Sequence, residues 1–256
     1  MPTIGLAPGT GFEIHTLADL DTYLGAVADA GFDAVSLALT QLAGDPVGAA
    51  RLLTTHGLRC TDVLSMRVTR DDDETMASAR AMAPAVDALG ADHVLAMFWT
   101  RLSDESLDRL GRCADVAGAP IALEFGPGGA ADTVASADRF VDALGIDRVS
   151  VLADTFHFFR GDSTWSMLES VPLDHLPIVQ FTDALPALSD DYMAETTNRR
   201  AWGGHGELEL GRFASTLLDR GWDGVVSVEV ISAELRQLPV AEFARLAYAT
   251  TAPYWT

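Results

Sequence analysis

Short apolar runs alternate with longer amphipathic stretches along the whole chain. The runs Thr3–Leu6, Ala34–Leu39, Cys60–Ser65, His93–Phe98, Pro120–Phe125, Val149–Ala153, Ile178–Phe181 and Val225–Val230 predict strands. Between most of them, apolar residues recur at helical spacing. Leu17 to Ala30 ends in Gly31, and a stretch opened by Asp45-Pro46 stops near Gly57. Asp72–Leu89 ends in Gly90, Ser103–Ala117 in Gly118 and Thr133–Leu144 in Gly145. Glycine just past a helix adopts the left-handed conformation freely, so each one marks a stop. The acidic run Asp71-Asp72-Asp73-Glu74 reads as a first helical turn, where the helix dipole favours negative charge.

A phrase recurs at the helix-to-strand joints: Ala30-Gly31-Phe32-Asp33-Ala34-Val35, Leu89-Gly90-Ala91-Asp92-His93-Val94, Leu144-Gly145-Ile146-Asp147-Arg148-Val149 and Arg220-Gly221-Trp222-Asp223-Gly224-Val225. Each is a helix end, a glycine stop, a short turn and a new strand, the grammar of parallel βα units. About eight such units in 256 residues predict an α/β fold, one closed (β/α)8 TIM barrel spanning residues 1–256 as a single domain. An open dinucleotide-binding sheet fits less well. Gly5-Leu6-Ala7-Pro8-Gly9-Thr10-Gly11 lacks the spacing of the phosphate-binding turn.

Charge narrows the function. Seventeen basic residues face 37 acidic ones, a formal charge of −20. Such a surface repels phosphate backbones and anionic bilayers, so neither nucleic acid nor membrane is expected as a partner. All the basic residues are arginine. Without lysine, Schiff-base chemistry, lysine-anchored pyridoxal phosphate and a P-loop are excluded. The two cysteines, Cys60 and Cys113, form no CxxC pair and read as small buried residues. The start carries no leader pattern and no apolar run reaches membrane-spanning length, so a cytoplasmic protein is expected.

In a barrel of this kind the C-terminal strand ends surround the active site. The last four predicted strands place an acidic set there: Glu124, Asp154, Gln180 with Asp183, and Glu229. A lone carboxylate at a strand end is often only a helix cap, but Glu124 and Glu229 lie inside otherwise apolar runs. Several carboxylates in one cavity are costly without a cation. Asp183 sits slightly past its strand and suits a cap or an outer partner, which leaves Gln180 as the fourth donor. Three carboxylates and an amide oxygen make a hard shell suited to Mg2+ or Mn2+.

These segments resemble the xylose isomerase-like barrel superfamily, of the sugar phosphate isomerase/epimerase type. The resemblance covers nearly the whole chain and rests mainly on Ala122-Leu123-Glu124-Phe125, Ala153-Asp154-Thr155-Phe156-His157, Val179-Gln180-Phe181-Thr182-Asp183, Arg200 to Gly206 and Ser227-Val228-Glu229. It implies a divalent metal held by Glu124, Asp154, Gln180 and Glu229. Gln180 stands where the epimerases carry His, as in the 3-dehydroshikimate dehydratase branch. His157, three residues after the metal Asp, matches the family's substrate-contacting His. Arg200, four residues before Gly204-His205-Gly206, matches its Arg, although residue 203 is Gly where Pro is usual. The DNA-repair endonuclease branch is excluded, because its several histidine ligands and cationic face are missing.

The resemblance implies proton transfer next to the carbonyl of a polyhydroxylated small molecule through an enediolate. Glu124 and Glu229 would move protons while ligating the metal; Asp154 and Gln180 would mainly hold it. His157 and Arg200 would fix substrate oxygens, with Trp202 and His205 as further contacts. Returning the proton elsewhere gives an isomerase or epimerase; expelling a β-hydroxyl gives a dehydratase of the 3-dehydroshikimate or inosose type. A non-catalytic barrel or partner-dependent subunit is the remaining alternative. Phe98, Trp99, Phe125 and Trp202 are expected to wall the pocket, and Gly203–Gly206 forms either a phosphate site or only a turn. His15 follows the first strand within reach of the mouth, whereas His93 and His175 fall at the opposite, stabilising end and His56 in a last helical turn, where a cation meets the dipole favourably. A terminal aromatic pair, Tyr254-Trp255, would suit a contact surface in a homo-oligomer.

Overall fold

The computed structural model describes residues 1–69, 71–97, 104–129 and 131–256. Eight parallel strands close on themselves. They are β1 (Thr3–Leu6), β2 (Ala34–Ala38), β3 (Arg59–Arg67), β4 (His93–Met97), β5 (Ile121–Glu124), β6 (Val149–Asp154), β7 (Ile178–Phe181) and β10 (Val225–Val228), which pairs back onto β1. Between β7 and β10 the chain makes a small antiparallel pair of β8 (Asp183–Ala184) and β9 (Arg200–Ala201). Each predicted run is one barrel strand, with ends shifted by a residue or two; Phe98, Trp99 and Ser103 lie outside the described residues.

Helices pack outside the strands. The five predicted ones are α1 (Leu17–Asp29), α2 (Pro46–His56), α3 (Asp72–Leu89), α4 (Asp104–Ala117) and α5 (Val134–Leu144). The stops behave as glycine chemistry requires: Gly57 and Gly90 end α2 and α3 at φ of 67° and 61°. Asp71 caps α3 by accepting from the Glu74 N–H, so the acidic run is indeed a first turn. Beyond β6 come the short α6 (Thr155–Arg160) and α7 (Trp165–Ser170); α8 (Tyr192–Asn198), α9 (Leu210–Leu218) and α10 (Val240–Thr251) follow.

Strand alternation sorts side chains into two layers. In β5, Ile121 and Leu123 join the core under the helices, while Ala122 belongs to the barrel interior. In β6, Val149, Val151 and Ala153 face the helices and Leu152 the interior; β7 and β10 divide likewise, with Ile178 and Val225 inside. Continuing the inward parity gives Glu124, Asp154, Gln180 and Glu229. Alternation thus aims all four into the barrel at its C-terminal mouth.

The interior also holds a carboxylate that the focus on strand ends overlooks. Asp62 of β3 is 1% exposed and accepts from Ser36 Oγ at 2.7 Å and Thr61 Oγ1 at 2.8 Å, while its Oδ2 has no partner. Ser36 in turn meets Ser227 of β10 at 3.2 Å, a contact that passes across β1 inside the barrel. Burial pushes the Asp62 carboxyl up to about 6, with Asp92 adding to the rise and the Ser36 and Thr61 hydrogen bonds opposing it. The native state therefore holds this proton more tightly than the unfolded chain. The stability contribution falls as pH rises from the unfolded value, 3.8, through about 6. Asp62→Asn, which keeps a neutral side chain of the same shape, is expected to be more stable than the parent by on the order of 2 kcal/mol at pH 8 and no more stable at pH 4. Urea unfolding at the two pH values measures this, and a pH-independent difference would contradict a buried proton on Asp62.

The terminal aromatic pair does not form an exposed tail. Trp255 is buried, with its ring 5.3 Å from those of Phe181 and Trp222. It closes the helix–strand layer, because an indole of that size finds more apolar contact there than in water. No helix among the described residues is long and apolar enough to cross a membrane.

Candidate active site

Glu124 is the last residue of β5 and Asp154 the last of β6; Gln180 pairs in register with Asp154, and Glu229 directly follows β10. All four are buried. Asp154 does two jobs. Its Oδ1 accepts from the backbone N–H of Phe156 at 2.6 Å and of His157 at 3.3 Å, capping α6. That cap holds His157 on the first turn, beside the carboxylates. Its Oδ2 meets Arg200 Nη1 at 2.6 Å.

Arg200, on β9, is the hub of the cluster and is only 2% exposed. Nη1 bridges Asp154 and Glu229 Oε2, the latter at 3.0 Å. Nε and Nη2 donate to the Thr196 carbonyl and hydroxyl, each at 3.0 Å, and the guanidinium lies 5.1 Å from the centre of the Phe156 ring. The short α8 thus anchors the arginine from behind. His157 Nε2 lies 3.0 Å from Glu124 Oε1 and 3.8 Å from Asp154 Oδ2, while its Nδ1 pairs with the Tyr192 hydroxyl. Gln180 donates its amide nitrogen to Glu229 Oε1 at 3.0 Å.

The electrostatics follow from two cationic groups shared among three carboxylates. Burial opposes ionisation of Asp154, but Arg200 and His157 outweigh it and hold the carboxyl below its ordinary range. Burial opposes the charge on His157, and Asp154 and Glu124 overcome that and raise it. Glu229 has the weaker share of Arg200, so burial, helped by Glu124 and Asp154, pushes it up to about 8. Burial also keeps the Tyr192 phenol protonated. These shifts mark a site in which protons are held at different strengths on adjacent groups.

The side chains fit a metal, with a donor set that differs from the expected one. Ligand atoms of Glu124, Asp154 and His157 lie within 4.8 Å of one another. Glu124 Oε1, His157 Nε2 and Gln180 Oε1 are buried without an aligned hydrogen-bond partner, so each keeps a lone pair or a tautomer free for a cation. The all-oxygen arrangement of Glu124, Asp154, Gln180 and Glu229 is not what the side chains display. Arg200 stands between Asp154 and Glu229, and Gln180 turns its nitrogen, not its oxygen, toward Glu229. A mixed nitrogen and oxygen set suits zinc as well as Mg2+ or Mn2+.

Other expected contacts are placed elsewhere. The Trp202 ring packs edge-on against Phe243, 4.8 Å between centroids, and Phe125 lies in the core beneath the helices. Both satisfy apolar burial rather than wall the pocket. His205 is exposed on its turn, and His15 stands in solvent beside Glu13. His56 and His175 pair with Asp21 and Asp138 away from the mouth. The glycine loop is a turn. Asp183 already occupies it, accepting from the N–H groups of Gly204, Gly206 and Leu208 at 2.9–3.0 Å. A Cβ at residue 206 would lie 2.2 Å from the Ala184 carbonyl oxygen, which explains that glycine without a phosphate. Tyr192 and Thr196 had no local signal; only the fold of the loop between β7 and β10 brings them to His157 and Arg200.

Above the cluster opens a cavity of about 390 Å³, floored by Glu124, Arg200 and Glu229.

The comparisons agree with this architecture. A family model described as xylose isomerase-like TIM barrel matches residues 24–247. An inosose isomerase of Halalkalibacterium halodurans is 32% identical over 149 residues, 57% of this chain and 51% of that protein. The chain thus matches about half the length of that relative. A 3-dehydroshikimate dehydratase of Pseudomonas putida is 26% identical over 236 residues, 86% of this chain and 37% of that protein. Among solved structures, the IolI protein with a bound zinc atom superposes with a TM-score of 0.84 at 23% identity, covering 99% of this chain and 98% of that one, a likeness of fold.

Proposed function

The chain belongs to the xylose isomerase-like TIM barrel family, and we propose that it is an isomerase or epimerase that moves a proton beside the carbonyl of a hydroxylated small molecule with the help of a divalent metal. The observation that carries this reading is the floor of the cavity: Glu124 and Glu229 face one space, and a fixed guanidinium lies beside them. Support also comes from the inosose isomerase relative and from the zinc-bearing structural neighbour.

Glu124, Asp154 and His157 would hold the metal, with Gln180 and Glu229 adjacent. When bound, it supplies Lewis-acid polarisation of a carbonyl and a neighbouring hydroxyl. Glu229, as the carboxylate, would take the proton from the carbon next to the carbonyl, and Glu124, once it has drawn a proton from solvent, would return it at a neighbouring position. Arg200 keeps Glu229 aimed into the cavity and offers positive charge to the oxygen on which negative charge develops. The Tyr192 hydroxyl fixes the ring of His157, whose other nitrogen faces the site. The protein's part is to hold these groups in place and to keep water from competing.

A second reading has its own support. Gln180 and the match to a 3-dehydroshikimate dehydratase over 86% of the chain favour loss of a β-hydroxyl from the same enolate. One experiment separates the two. The Mn2+- or Zn2+-loaded protein is incubated in D2O with ketoses, inososes and 3-dehydroshikimate. Deuterium wash-in without loss of water supports the isomerase; loss of water, seen as a new ultraviolet chromophore, supports the dehydratase; neither, across the panel, defeats both. A chelator is also expected to lower Tm and a divalent ion to restore it, since the ion binds the folded state. A non-catalytic barrel would show no such dependence.

A further inference from the structure

Above its charged floor the cavity is apolar. Leu64, Met66, Val68, Leu95, Met193 and Ile231 line it. The remaining lining groups among the described residues are three threonines and Arg67, which is exposed at the rim. Each threonine hydroxyl already has a partner within the protein. That of Thr196 takes Arg200 Nη2, that of Thr197 donates to the Met193 carbonyl at 2.6 Å, and that of Thr69 donates to the Asp71 carbonyl at 3.1 Å. A ring hydroxyl turned toward the six apolar side chains would give up water and gain no hydrogen bond from them, which disfavours a molecule hydroxylated on every side. An alkyl or aryl group there would exchange water for contact with six apolar side chains.

The geometry points to an amphipathic substrate: a hydroxy-carbonyl head that meets Glu124, Arg200 and Glu229, and an apolar substituent that fills the space under Leu64, Met66 and Ile231. This rests on the proposed function only for the identity of the head. Met193 comes from α8, the helix that also anchors Arg200 through Thr196 and His157 through Tyr192. Contact of the substituent with Met193 therefore bears on the same short helix that orients both polar groups, and binding of the apolar part would order the site for the head.

The test compares pentahydroxycyclohexanone with its set of mono-O-benzyl ethers. Calorimetry on the metal-loaded protein gives Kd, and D2O exchange gives turnover. At least one ether is expected to bind about tenfold tighter than the parent ketone or better, about 1.4 kcal/mol. Met193→Asn and Ile231→Asn, at wall positions that are not fully buried, should erase that preference by weakening binding of the favoured ether about tenfold. A parent ketone that binds as tightly as every ether overturns the inference while leaving the proposed chemistry standing if it still exchanges. Tighter binding of an ether without exchange of either compound upholds the inference and defeats the proposed chemistry. Failure of all of them to bind overturns both.

Discussion

Arg200→Met is expected to destabilise the ion-free protein by about 3–5 kcal/mol. Methionine fills much of the same volume but removes the one guanidinium that Asp154 and Glu229 share. Asp154 is fully buried, and among the described residues its other cationic neighbour is His157 at 3.8 Å. A buried carboxylate that loses its partner keeps its desolvation cost, and that loss exceeds anything the new packing returns. The defect has a signature in pH. In the parent, Asp154 titrates below its ordinary value of 3.8, so its contribution is present above that value and lost as pH falls through the depressed one. In the variant, burial dominates and the carboxyl is raised, so the penalty grows as pH rises above about 4. The gap between parent and variant should be wide at pH 7 and narrow toward acid. A divalent ion, binding the buried carboxylates that the arginine no longer holds, should recover part of the loss. Urea unfolding with a chelator and with saturating Mn2+ or Zn2+ reads all three effects; equal stability of the two proteins in chelator would show that the guanidinium is not the clamp.

Glu229→Gln is expected to lower solvent exchange on a turned-over substrate by about three orders of magnitude. The amide cannot take a proton from carbon, yet it keeps the shape of the side chain. Its structural cost should be small. Burial pushes the Glu229 carboxyl up to about 8, so a neutral amide costs less here than at Asp154, whereas in the loaded site a divalent cation would favour the ionised carboxylate that takes the proton. The Gln180 amide, whose oxygen is unpaired, can turn that oxygen toward the new N–H. The oxygen of the new amide can still accept from Arg200. Loss of exchange at nearly constant Tm would separate a chemical role from a structural one. Exchange within tenfold of the parent would remove Glu229 from the proton path and leave Glu124 as the group to examine.

The parts of this protein that could be read in advance share a physical origin. Alternation along a strand is a local property of the pleat, so the runs around Glu124, Asp154, Gln180 and Glu229 announce which way each side chain points once a barrel is assumed. Glycine stops and the Asp71 cap are equally local. The same rule, a carboxylate in an apolar strand, also flags Asp62, but on a strand outside the four on which attention to the metal ligands fell. Trp202 and Tyr254-Trp255 were misplaced for the opposite reason. An aromatic or a histidine near a glycine turn carries no information on whether it meets a pocket, a core or solvent until distant elements are in position.

From the order of residues alone follow the closed parallel barrel, the boundaries of its first five helices and the inward direction of the four strand-end donors, because these depend on interactions between near neighbours. The partners of those donors do not follow. Arg200 reaches Asp154 across 46 positions of chain and Glu229 across 29, and Tyr192 reaches His157 across 35. Those meetings are set by closure of the barrel and by the path of one loop back over its mouth. Which pairs form there is decided by the competition of several buried charges for few counter-charges, and that competition exists only after water has been expelled from between them.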